Sequence, residues 1–72
     1  MNDMIMKILS QFEGDELISR FNISAKTRIE LAVVQDQLDW LHVTGYVAQE
    51  GNFYKLTAAG QKLFSDAVER EV

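Results

Sequence analysis

Neither cysteine nor proline occurs in these 72 residues. Without cysteine no disulfide can staple the fold, and no thiolate can bind a metal or attack a substrate. The same absence suits a reducing compartment. Without proline, and with four glycines as the strongest punctuation, no linker offers a boundary, so a single domain over 1–72 is expected. No apolar run approaches the ~20 residues that cross a bilayer. The start, "MNDMIMKILSQF", is interrupted by Asp3, Lys7, Ser10 and Gln11 instead of forming a signal-peptide core. A cytoplasmic protein with no membrane partner is the expectation.

Catalysis has little to stand on. There is no glycine-rich phosphate loop, no serine nucleophile beside a suitable base, and too little chain to wall off a substrate cavity. Glu13, Asp15 and Glu16 form a carboxylate cluster, but at an expected helix start, where dipole compensation accounts for it. His42 stands three residues after Asp39, and two ligands are too few for a metal site. His42 is expected at the core boundary, and no cofactor is expected.

Positive charge is also scarce, with seven Lys and Arg against eleven Asp and Glu, net −4. Most nucleic-acid binders are basic. The scarcity is uneven, however: Leu17 to Ile29 contains Arg20, Lys26 and Arg28 and no acid, so this stretch is +3 and the remainder −7. At 47% apolar and 25% charged, the chain has the composition of a folded domain. A core this small leaves only about 3–5 kcal/mol of stability, which makes self-association a useful further staple.

Hydrophobic spacing supplies the elements. Ile5, Ile8, Leu9 and Phe12 recur at helical intervals from about Asn2 to Glu13, with Asn2 or Asp3 as N-cap. Asp15 and Glu16 then open a short second helix carrying Leu17, Ile18 and Phe21 as far as Asn22. Ser24 caps a long third helix whose core seam is Leu31, Val34, Leu38 and Leu41, ended by Gly45. Tyr46, Val47 and Ala48, a turn at Gly51-Asn52, and Phe53 to Leu56 read as a hairpin, with Phe53 or Tyr54 packed beneath it. Thr57 caps a last helix with the stripe Leu63, Phe64, Ala67 and Val68. The fold class is therefore mainly α with a small β-hairpin: three helices, a two-stranded wing and a C-terminal helix.

Three segments carry a resemblance over nearly the whole chain: "DELISRFNISAKTRIE", "LDWLHVTGYV" and "YKLTAAGQKLF". With them the chain resembles the winged helix-turn-helix superfamily of bacterial and phage transcription regulators, the broad group that includes MarR-like and PadR-like proteins. The resemblance implies that the start of helix three enters a DNA major groove, with Ser24, Lys26, Thr27 and Arg28 meeting bases or phosphates and Arg20 adding a phosphate contact. It also implies that two copies pair so that two recognition helices reach two half-sites. The hairpin fits DNA poorly, since Glu50 stands at its turn and Lys55 is its sole cation.

Helix three has a second apolar stripe. On a wheel at ~100° per residue, Ile29, Val33 and Trp40 lie nearly opposite the core seam, flanked by Ala32 and Val43 and interrupted by Asp36. Another helix of the same chain covers this stripe, or a second copy does, or the helix bends. Two functions are open: a small dimeric winged-helix DNA-binding regulator, and an acidic winged-helix module that presents Ile29, Val33 and Trp40, or its acidic surface, to another protein and binds no nucleic acid.

Overall fold

Ile5, Ile8 and Leu9 all turn inward from α1 (Asp3–Leu9), and Phe12 is buried just beyond its end, as their spacing predicts. The computed structural model describes residues 3–70, so the Asn2 cap lies outside the described residues. After α1 come β1 (Ile18–Ser19), α2 (Arg20–Thr27), α3 (Leu31–Val43), β2 (Val47–Glu50), β3 (Phe53–Leu56) and α4 (Ala58–Arg70). The strands form one antiparallel sheet in the order β1-β3-β2.

That third strand corrects the expected second helix. Ile18 pairs with Tyr54 and Ser19 with Phe53, and Ile18 and Tyr54 both face the core. Two residues of sheet therefore stand where a helix from Asp15 was expected. Asp15 and Glu16 lie in the loop before β1, and α2 has no acid in its first turn. The dipole explanation of the Glu13, Asp15 and Glu16 cluster fails with it. Helix formation waits for Ser19, whose extended backbone (φ −81°, ψ 155°) lets its Oγ accept from the Asn22 N–H at 3.1 Å.

The third helix also starts later than expected. Ser24 is inside α2, not a cap of α3, and its hydroxyl donates to the Ile29 carbonyl at 2.6 Å. Thr27 Oγ1 donates to the Ile23 carbonyl at 2.6 Å and accepts from the Ile29 N–H at 3.3 Å. Arg28 ends α2 in the left-handed region at φ 62°, its N–H bonded to the Ser24 carbonyl. These bonds satisfy the backbone of a tight α2–α3 turn, so the chain cannot continue one helix through it. Glu30 precedes α3 without a side-chain cap.

Val34, Leu38 and Leu41 are fully buried along α3, whereas Leu31, placed in the same seam by spacing, is 37% exposed at the helix start. Gly45 ends α3 as the spacing predicts. At φ 88°, its N–H donates to the His42 carbonyl and the Tyr46 N–H to the Leu41 carbonyl, at 3.1 and 2.8 Å. Those are the two bonds of a Schellman cap, which needs the left-handed conformation that glycine adopts freely.

Tyr54 is the largest fully buried side chain, and its hydroxyl accepts from Gln35 Nε2 at 3.2 Å. Phe53, on the other face of β3, is about half exposed, so Tyr54 is the ring beneath the wing. Around it lie Ile8, Leu9, Ile23, Val34, Leu38, Leu41 and Val47. Each such aliphatic side chain contributes about 1.5–3 kcal/mol by leaving water.

α4 packs against α1 and β3, with Leu63 and Phe64 on the core and Val68 exposed. Its third residue, Gly60, is buried, and a Cβ there would overlap the Tyr46 carbonyl oxygen and come within 3.0 Å of Leu56 Cδ2. Close approach, rather than a concession in helix propensity, explains this glycine. No helix among the described residues is long and apolar enough to cross a membrane.

Candidate functional site

The outward face of α3 is open to solvent. Ala32, Asp36, Asp39, Trp40 and Val43 are exposed, and at ~100° per residue they lie across the helix from Val34, Leu38 and Leu41. Val43 is 85% exposed and Trp40 48%, an unusual outlay of apolar surface for a small domain. The two carboxylates have no Lys or Arg to offset them anywhere in α3. Asp39 Oδ1 accepts from Gln35 Nε2 at 2.8 Å, which holds that carboxylate on the helix surface. His42 is exposed, not at the core boundary where it was expected.

The cations stand elsewhere. Arg20 and Lys26 are on α2 and Arg28 is its C-cap, so none belongs to the start of α3. Arg20 is half-buried, with its guanidinium carbon 5.0 Å from the centroid of the Phe21 ring, a cation–π contact. Lys26 is exposed and shares an open groove of ≈ 170 Å³ with Glu13 and Glu16. Arg28 is exposed. The hydroxyls of Ser24 and Thr27, expected at DNA, are engaged in the α2–α3 turn. The acid-free run of sequence thus folds against a carboxylate-bearing loop.

The second apolar stripe is divided as well. Ile29 precedes α3 and packs half-buried against the core, and Val33 is half-buried. Trp40 stays accessible, its ring centroid 6.0 Å from that of Tyr46 at an interplanar angle of 38°. Sequence reasoning missed Tyr46, reading it only as the start of a strand. It also reads Val43 as a flank of the stripe, although Val43 is its most exposed member. The signal available for Val43 is its position one helical turn from Asp39 and Trp40 and two from Asp36.

Tyr46 carries the apolar surface on toward α4. With Ala59, Lys62, Leu63 and Asp66 it lines an open groove of ≈ 240 Å³. Among the described residues, no group of three or more His, Cys, Asp or Glu side chains is placed to hold a metal ion.

No protein-family model and no curated protein matches the chain. Solved structures do. The structure of ligand-free NadR superposes with a TM-score of 0.83 and 23% identity, covering 97% of this chain and 54% of that one. The reduced form of MarR from E. coli superposes with a TM-score of 0.85 and 21% identity, covering 96% and 52%. The chain therefore spans about half the length of these structures. At such identities the likeness establishes architecture: this chain has the MarR-like winged-helix fold.

Proposed function

We propose that this chain is a winged-helix regulator that works through protein contact at α3 instead of reading bases with it. One observation carries the reading: the outward face of α3 presents Asp36 and Asp39 beside Trp40 and Val43 and has no Lys or Arg. A helix in a major groove lies between two phosphate backbones, where carboxylates are repelled and uncompensated apolar groups gain little. The same residues suit a protein interface, where aromatic anchors are enriched. The turn of the wing, with Glu50 exposed, is equally unsuited to phosphate.

Fluorescence anisotropy with labelled duplex DNA tests this. The expected result is no sequence-selective binding. Selective binding to a genomic fragment, lost when Ala32 or Gln35 on α3 is substituted, would overturn the reading.

A second reading is favoured by Arg20, Lys26 and Arg28, which remain at the surface of α2 and its cap. In it, the chain is a DNA-binding transcription regulator whose cations hold phosphates, and two copies pair to address two half-sites. It requires binding that weakens steeply with salt and falls in an Arg20→Ala/Lys26→Ala/Arg28→Ala variant. Pairing through Trp40 requires a dimer in light scattering that Trp40→Asp converts to monomer. A monomeric wild-type chain excludes that pairing.

A further inference from the structure

Resting on the protein-contact reading of α3, we infer that the occupant of this face is a basic amphipathic helix of another protein, seated along α3 with its apolar side on Trp40, Tyr46 and Val43. Three observations narrow the choice of occupant. The first is charge: Asp36 and Asp39 flank the apolar residues and no cation of α3 neutralises them, so the complementary surface carries Lys or Arg.

The second is symmetry. A twofold contact places the same patch against itself. Two copies meeting through this face would bring Asp36 and Asp39 from both sides into one contact with no Lys or Arg of α3 to pair them, which is unfavourable when apolar contact excludes water. A different chain meets no such penalty.

The third is shape. Ala32, Asp36, Trp40 and Val43 follow one straight ridge of α3, about 17 Å from first to last at ~1.5 Å per residue. That is about three turns of a partner helix, and the small Ala32 lets a partner's side chain settle between larger neighbours. At the C-terminal end the surface does not stop. The Trp40 ring meets Tyr46, and Tyr46 opens into the groove beside Ala59 and Leu63, which gives the partner's last apolar side chain a seat. Lys62 and Asp66 on the rim of that groove balance each other, so the sign of the surface is set by α3.

Trp40 is the chain's one tryptophan, so its emission reports on this face. The probe is a helical peptide with leucine on one side and lysine on the other, compared with the same peptide bearing glutamate in place of lysine. The lysine peptide is expected to shift Trp40 emission saturably and to bind at least about tenfold more tightly than the glutamate peptide. An Asp36→Lys/Asp39→Lys variant is expected to reverse that preference. Val43→Asp is expected to weaken the lysine peptide, with circular dichroism establishing that each variant is folded. No emission change with the lysine peptide, or equal binding of both peptides, overturns the inference. Those outcomes leave the protein-contact reading standing if DNA is also not read, whereas selective DNA binding overturns that reading itself.

Discussion

The hydroxyl of Thr57 donates to the carbonyl oxygen of Gly45 at 2.6 Å, joining the residue before α4 to the glycine that follows the C-cap of α3. Thr57 Oγ1 in turn accepts from the Gly60 N–H at 3.1 Å, capping α4. Removing it leaves a carbonyl and a helix N–H without their partner. Thr57→Ala is expected to cost about 1–2 kcal/mol in urea unfolding, with Thr57→Ser retaining most of the wild-type value. Equal stability of the alanine variant would mean that water replaces the hydroxyl at no loss.

Gly60→Ala pits helix propensity against space. Alanine favours a helix interior by about 1 kcal/mol over glycine, but its methyl would overlap the Tyr46 carbonyl oxygen. Backbone cannot yield as a flexible side chain can, so a net loss of about 1–3 kcal/mol is expected. A thermal midpoint equal to or above wild type would show that α4 slides outward to make room.

Arg28 offers the reverse case, a non-glycine residue at φ 62°. Left-handed backbone costs an L-residue about 1–2 kcal/mol, so Arg28→Gly is expected to leave stability unchanged or to raise it by up to about 1 kcal/mol. The substitution removes one cation without harming the fold. If the phosphate-contact reading holds, its affinity for DNA at low salt falls and the dependence on salt becomes shallower. Unaltered DNA affinity in a stable Arg28→Gly chain removes Arg28 from that reading.

Tyr54→Phe separates the ring from its hydroxyl. The ring fills the centre of the core, and the hydroxyl accepts from Gln35. Phenylalanine should cost about 0.5–1.5 kcal/mol and alanine about 3–5 kcal/mol, read from denaturant midpoints. A phenylalanine variant as unstable as the alanine one would place the main contribution in the polar bond. For a core this small the alanine change approaches the whole stability of about 3–5 kcal/mol.

What could be read from the letters was what is local. Val34, Leu38 and Leu41 lie on one side of α3 because of their spacing alone, and Gly45 stops that helix through bonds to its own last turn. Ile18 was not legible in this way. Leu17, Ile18 and Phe21 suit a short helix as well as a strand, and what decides is Tyr54, 36 residues away, supplying the pairing partner.

Arg28 hid the end of α2 for a related reason. A glycine there would have marked the helix end, whereas arginine carries no such mark, so the seam between α2 and α3 was placed at Ser24. The displaced boundary gave α3 four expected DNA contacts, Ser24, Lys26, Thr27 and Arg28, that lie on α2 and its cap. It also hid that α3 itself contains no Lys or Arg, the fact on which the functional reading turns.

Both ends of the β2–β3 hairpin meet where Tyr46, Thr57 and Gly60 are bound together, while its turn at Gly51 and Asn52 stands free in solvent. β1 also holds β3 beside the turn, where Ser19 pairs with Phe53, so the exposed Gly51–Asn52 step is the part that tolerates insertion. Doubling a flexible loop adds only about 0.6 kcal/mol of closure entropy. An epitope or fluorophore-bearing peptide spliced between Gly51 and Asn52 would therefore ride on the hairpin as a passenger.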